Sequence, residues 1–243
     1  MRNNIAIAIV AIFLAVFLLG YNAPLRTYGA REGLMEYGQI QPKQSAIIGI
    51  PAIDGTGNGA IAKVGAHIVP GSGRMLILIT NGTPLISPET QESMRTGFEL
   101  AKGIAGSKGS GKDVYYEFQG ASEIVSGRSA GAAIAILTLA QFEGKKLRAD
   151  TLITGSIDSN GSIGRVGFIL EKARALAGTQ YSTLLVPIGE SIEIRPPETC
   201  KRRDGSLIAG CKPPEMEYDI GRETGINIVE VATIAEAYLL MTE

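Results

Sequence analysis

Apolar residues run unbroken from 5 to 19 behind Met1-Arg2-Asn3-Asn4, and Gly20 and Tyr21 extend the stretch to 17 residues. That length is the lower edge for spanning a bilayer. Residues 23–44 are polar with several glycines, as in a linker, and periodic apolar patterning begins near residue 45. The pattern predicts strands over 46–53, 60–69 and 75–80, a helix over 89–105 and a strand over 113–118. Residues 129–142 predict a helix with a small-residue start. A strand over 151–157 leads to an Asn160-Gly161 turn, followed by a helix over 169–177 and a strand over 183–187. Residues 190–217, with Pro196-Pro197 and Pro213-Pro214, break the pattern as an insertion. A strand over 226–231 and a helix over 234–241 close the chain. The expected architecture is an α+β (mixed α/β) domain over 45–243, behind a segment 1–22 and a linker 23–44.

Composition narrows the classes. At 243 residues the chain can hold one full-sized core, and 31 glycines suit a turn-rich mixed domain better than a helical bundle. A net charge of −1 gives no electrostatic footprint for nucleic acid. Segment 1–22 reads as a transmembrane anchor or a signal peptide. Cleavage after Ala23 or Ala30 places a tyrosine at −3, which favours an uncleaved anchor. A cut after Gly29, with Thr27 at −3, is the alternative and would make the protein secreted. Arg2 on one side and Arg26 and Arg31 on the other leave orientation open by charge alone.

The two cysteines add a direction. Cys200 and Cys211 flank a polar turn that a short disulfide would close, and two free thiols are the alternative. A cysteine pair in a membrane-targeted chain favours an extracytoplasmic catalytic domain. One thiol pair with no nearby histidine does not make a zinc site, and no metal or cofactor is expected. Asn81-Gly82-Thr83 and Asn160-Gly161-Ser162 match the glycosylation sequon and read mainly as turns.

The candidate chemistry centres on Gly127-Arg128-Ser129-Ala130-Gly131, a G-x-S-x-G pattern that can expose a serine on a turn. The chain's one histidine, His67, precedes the serine, which is the wrong order for an α/β-hydrolase triad. A nucleophilic Ser129 therefore needs another base, and a desolvated lysine is the usual substitute. Lys172 is the candidate, set among Ile169, Leu170 and Leu176. A solvated helix lysine is the ordinary reading of such a residue.

Four stretches carry a resemblance. Val69-Pro70-Gly71-Ser72-Gly73 with Gln91-Glu92-Ser93-Met94, then Gly127 to Gly131, then Arg148-Ala149-Asp150 with Thr154-Gly155, then Gly161-Ser162-Ile163 through Lys172, occur in order. From Val69 onward they resemble the proteolytic domain of the Lon family, the Ser-Lys peptidases, with Lys172 placed 43 positions after Ser129 and no gap. The resemblance implies Ser129 as nucleophile, Lys172 as general base and Thr154 as a hydroxyl that helps hold the lysine. Backbone N–H groups near Gly127 and Ser129 are its oxyanion-hole candidates. The chain departs from the family at Ser126, at Arg128 in place of proline and at Phe168 in place of glycine. Tyr115 and Glu117 stand where family histidines stand.

One further motif is a decoy. Gly106 to Asp113 nearly spells a phosphate-binding loop, but Asp113 takes the place of the Mg²⁺-binding hydroxyl and the predicted order is helix then strand. It reads as a flexible loop, and the chain has no room for the ATPase module of Lon proteases. The expectation is a membrane-tethered, ATP-independent serine endopeptidase acting on flexible or unfolded polypeptide, and self-association is compatible with it. The alternatives are a catalytically silent peptide-binding module of the same fold and an amidase or esterase for small acyl substrates.

Overall fold

The computed structural model describes residues 44–79, 84–119, 124–195, 204, 206 and 216–243. Segment 1–22, linker 23–44 except its last residue, Cys200 and Cys211 lie outside the described residues. Among the described residues no helix is long and apolar enough to cross a membrane.

The main sheet has the order β1-β2-β5-β3, built from β1 (Gln44–Ile53), β2 (Gly59–Pro70), β3 (Met75–Leu78) and β5 (Lys112–Gln119). β1, β2 and β5 run antiparallel, and β3 joins β5 in parallel. A short parallel pair, β4 (Leu85–Ile86) and β6 (Ile124–Val125), flanks helix α1 (Pro88–Ala105). Ser87 caps α1 by accepting from the Thr90 N–H, and Pro88 sits in its first turn.

Helix α2 (Gly131–Glu143) is buried from Gly131 to Phe142. It has no polar face because α1, the main sheet and the second sheet surround it. The second sheet is parallel throughout, with the order β13-β10-β7. Its strands are β7 (Thr151–Ile153), β10 (Thr183–Pro187) and β13 (Asn227–Val231). Between β7 and β10 lie the hairpin β8 (Ser156–Ile157) and β9 (Ile163–Gly164) and the short helix α3 (Ile169–Arg174). After β10 come the antiparallel ribbon β11 (Ile192–Arg195) and β12 (Met216–Asp219) and helix α4 (Ile220–Thr224). Helix α5 (Ile234–Met241) follows β13, held at its start by a Thr233–Glu236 capping box.

Strands and helices are thus mixed along the chain, in agreement with the expected α+β class. The expected single strand over 151–157 is two strands, because Gly155 turns both its hydrogen bonds from the sheet to residues 129 and 132. The helix expected from 129 begins at Gly131, since residues 127–130 form a turn. The near P-loop is a single 3-10 turn, Gly106–Lys108, between α1 and β5. Asn160-Gly161 forms the turn of the β8–β9 hairpin, with Gly161 N–H bonded to Asp158 O and Gly161 at φ 87°.

The main core joins α1, α2 and α5 to the inner faces of both sheets, with Tyr116, Phe98, Met94 and Ile134 among its fully buried side chains. A smaller cluster, with Leu170, Leu176, Leu184 and Ile220, seats α3 on the second sheet. The approach of α1 to α2 is set by glycine. A Cβ on the buried Gly97 would lie 2.7 Å from Gly131 O and 3.1 Å from Ala135 N, both backbone atoms that no rotamer change can move. Gly97→Ala is expected to destabilise the fold by about 1–3 kcal/mol, read by urea denaturation. An unchanged midpoint would show that the two helices are not held at this separation.

Candidate active site

The turn that carries Ser129 is hung from α1. The buried hydroxyl of Thr90 donates to Gly127 O at 2.9 Å, and that of Ser93 donates to Arg128 O at 2.8 Å. A trans peptide directs its N–H opposite its C=O. With both carbonyls bound to α1, the N–H groups of Arg128 and Ser129 therefore point away from that helix. Gly127 takes φ 101°, a conformation open to glycine and strained for other residues. The far side of the turn is fixed by Gly155, whose N–H donates to Ser129 O at 3.1 Å while its carbonyl accepts from the Ala132 N–H. Thr90 and Ser93 lie one helical turn apart on the buried face of α1. Polar residues on an otherwise apolar face were the signal for them. Ser93 falls in a quoted stretch, but neither hydroxyl was picked out as a site residue.

Lys172 enters from the other side on α3. It is only 4 % exposed. Its Nζ donates to Gly167 O at 2.9 Å and to Thr154 Oγ1 at 3.3 Å. Thr154 is itself fully buried, placed by its N–H bond to Leu185 O of β10. Burial pushes the Lys172 amine down to about 8, against the pull of the Glu171 and Glu193 carboxylates, which favour the ammonium. The structure thus brings Lys172 and Thr154 into contact. It is a desolvated lysine, not the solvated helix lysine of the ordinary reading.

Ser129 and Lys172 line one pocket of about 490 Å³, with Gly127 and Arg128 at its edge. Ile50, Ala52, Ala60, Ala62 and Phe118 form its apolar wall. This is the size and character of a ligand pocket. Among the described residues no hydrogen bond joins Ser129 Oγ to Lys172 Nζ, whose bonds go to Gly167 and Thr154. Catalytic hydrogen bonds are commonly longer without substrate than with it. His67 is not among the pocket residues; it faces Glu117 at 3.6 Å on the β2–β5 pair. Among the described residues no cluster of side chains could hold a metal ion.

Asp113, read from sequence as part of a loop, is instead a fully buried anchor. One carboxylate oxygen accepts the N–H groups of Ser72, Gly73 and Arg74, and the other takes the Arg74 guanidinium. Burial raises its proton affinity, but Arg74 and these N–H groups outweigh that and hold the carboxyl below its usual range.

No family model matches the chain. Over 167 residues it is 22 % identical to the Archaeal Lon protease of Methanocaldococcus jannaschii, a match covering 63 % of this chain and 25 % of that protein. Over 135 residues it is 28 % identical to the Lon protease of Phenylobacterium zucineum, covering 53 % of this chain and 16 % of that protein. The chain therefore contains a region similar to part of two Lon proteases, and it spans about a quarter and a sixth of their lengths.

The residue before α3 stands out. Phe168 holds φ 61° and ψ 39°, the left-handed region, and is the one non-glycine residue with positive φ among those described. Its ring lines the pocket yet is 60 % exposed. For a bulky residue this backbone costs on the order of 1–2 kcal/mol, and a ring that exposed recovers little by burial. Phe168→Gly is therefore expected to keep or raise the melting temperature despite losing a large apolar side chain. A fall of several degrees in thermal denaturation would mean that the ring is a packing element.

Proposed function

We propose that the chain is a serine endopeptidase in which Ser129 is the nucleophile and Lys172 the general base. The observation that carries this reading is the Lys172 amine: buried, poised near neutrality and set in the same pocket as a serine on a constrained turn. A serine hydroxyl is a weak nucleophile until a base takes its proton, and only a neutral amine can do so. Thr154 Oγ1 and Gly167 O orient that amine. Attack of Ser129 Oγ on a substrate carbonyl would place negative charge on the carbonyl oxygen. The N–H groups of Arg128 and Ser129 are the donors proposed to receive it. Lys172 would then return its proton to the leaving amine, and water would complete hydrolysis by the same route.

The substrate is proposed to be flexible or unfolded polypeptide, whose backbone could reach Ser129 within the pocket. ATP independence belongs to the same proposal. It is supported by Asp113, whose oxygens are occupied by the 72–74 turn, and by Lys112, whose amine lies over the Phe142 ring at 5.6 Å. Both positions would have to serve a nucleotide if Gly106 to Asp113 were a phosphate-binding loop. We also propose an extracytoplasmic domain anchored through residues 5–21, on the apolar run and the cysteine pair, with self-association compatible with this arrangement.

Labelling with a serine-reactive phosphonate tests the nucleophile: the wild-type protein should label and Ser129→Ala should not. Ser129→Ala and Lys172→Ala should each abolish peptide hydrolysis in folded protein. Binding of peptide without labelling or cleavage would favour the silent module, and turnover of small esters but no peptide would favour the esterase.

The pH profile tests the base. With an amine near about 8, roughly a tenth is neutral at pH 7, so kcat/KM should rise about tenfold to a plateau above pH 9. A midpoint that disappears in His67→Ala would overturn the assignment. Stability carries the same signature. The folded amine releases its proton near about 8 and the unfolded one near about 10.4, so the unfolded chain binds more protons between these values. Between about pH 8 and 9, below the range where Tyr116 and Tyr238 ionise in the unfolded chain but are held protonated by the fold, unfolding free energy should rise with pH more steeply in the wild type than in Lys172→Met.

Nucleotide is tested separately. Hydrolysis of unfolded peptide should proceed equally with and without ATP and Mg²⁺. Saturable ATP binding that is lost in Lys112→Ala would refute this part of the proposal.

A further inference from the structure

The ribbon β11–β12 forms the stem of the 190–217 insertion. Strand alternation places Glu193 and Arg195 on one face of β11 and leaves Ile192 and Ile194 exposed on the other. The charged face is turned toward α3. Glu193 Oε2 accepts the Leu170 N–H at 3.2 Å, within the first turn of that helix. Arg195 donates both terminal nitrogens to the Glu171 carboxylate, Nη2 at 2.7 Å, and its Nε to Glu193 Oε1 at 2.5 Å. The three side chains are 17–25 % exposed, so the cluster is screened less than a surface ion pair.

Two carboxylates therefore sit at the turn of α3 that carries Lys172: Glu171, its neighbour in the chain, and Glu193, bonded to the Leu170 N–H. The ionisable groups on α3, on the elements packed against it and on the pocket wall are Glu171 and Arg174 on α3, Glu193 and Arg195 on β11, Lys63 on β2, Arg222 and Glu223 on α4, and Asp54, Arg128 and Arg165 at the pocket. Of these, Glu171 and Glu193 are the ones with a resolved pull on Lys172, and both favour its ammonium form. The Arg195 cation is bound to the same two groups. Its hydrogen bonds are the main cause of the lowered proton affinity of Glu171. A positive charge shared between two carboxylates cancels much of their field at a third site.

We propose that Arg195 is a positioning residue for Lys172: it occupies the two carboxylates beside the amine and ties the insertion stem to the first turn of α3. The inference rests on the reading of Lys172 as a base. It gives the insertion a part in the chemistry, since neither Glu193 nor Arg195 belongs to the four stretches that carry the resemblance. Removing Arg195 leaves both carboxylates unpaired, strengthens their hold on the ammonium and delays its loss of the proton. A purely structural clamp would act differently, lowering the rate at every pH without moving the ionisation.

The test is the pH dependence of kcat/KM on an unfolded peptide, measured with the full chain carrying Arg195→Met, Arg195→Lys or Glu193→Gln. Arg195→Met should move the midpoint up by about one unit, so that kcat/KM at pH 7 falls about tenfold while much of the high-pH plateau remains. Glu193→Gln should move the midpoint down. Arg195→Lys, which keeps the charge, should hold it near the wild-type value. An Arg195→Met profile with a lower plateau and an unmoved midpoint would overturn the proposal. If Arg195→Met does not fold, an unchanged or raised midpoint in Glu193→Gln overturns it instead. A wild-type profile without a Lys172-dependent midpoint would defeat the base reading itself, an outcome distinct from a wild-type midpoint that Arg195 does not influence.

Discussion

The hydrogen-bond arithmetic of one buried amine organises this molecule. A lysine ammonium has three N–H donors and no acceptor, whereas the neutral amine has two donors and a lone pair. At Lys172 the structure provides two oxygens, Gly167 O and Thr154 Oγ1. Two partners satisfy the donors of the neutral amine and leave its lone pair unused, and among the described residues the ammonium has no third acceptor in a site that already penalises charge. Burial and partner count thus push the same way. The neighbouring carboxylates push the other way, and the lowered but not extreme proton affinity reflects that balance.

Meeting those two oxygens shapes the surrounding chain. For Gly167 O to face the amine while Phe168 O accepts the Lys172 N–H, the backbone must reverse within one residue, and Phe168 absorbs the reversal in the left-handed region. Thr154 reaches the amine from the last sheet contact of β7, its N–H still bonded to Leu185 O, and the regular strand stops there. Gly155, next in the chain, then bonds both to Ser129 O and to Ala132 N–H. The two-residue gap between β7 and β8 is therefore the junction between the lysine and the serine turn. A single continuous strand would align the hydrogen bonds of the sheet and lose both contacts.

These same places mark where sequence patterning succeeded and where it stopped. Elements that bury one face carry their period in the sequence, so β1, β2, α1 and α5 appear close to where the pattern put them, while β10, buried on both faces, shows as a short continuous apolar run. The pattern does not show the break, because Ile153 and Ile157 bracket Thr154-Gly155-Ser156 as they would within one strand and both Thr154 and Gly155 are buried. The serine and the lysine were legible, the former as a glycine-flanked motif and the latter by resemblance. The hydroxyls of Thr90 and Ser93, the Asp113 anchor and the Arg195 cluster were not. Each is a pair between segments 24 to 41 residues apart, and no local period encodes such a pairing.

Placing the quoted motifs in space also separates two kinds of likeness. Val69-Pro70-Gly71-Ser72-Gly73 does not line the pocket; it wraps the Asp113 carboxylate, and a Cβ on Gly71 would collide with that carboxylate. Its glycines are explained by a buried charge that needs backbone donors close on all sides. Likeness in this stretch concerns how the end of β2 is tied to the start of β5, and any chain with this sheet would need it whatever its activity. Gly127 to Gly131, Thr154 and Lys172 are different. The sheets do not require a hydroxyl beside a buried amine, since an apolar pair of similar volume would fill the space without desolvating a charge. Found together despite the cost that burial of the amine imposes, these residues support the proposed use of the amine more directly than the number of motifs matched does.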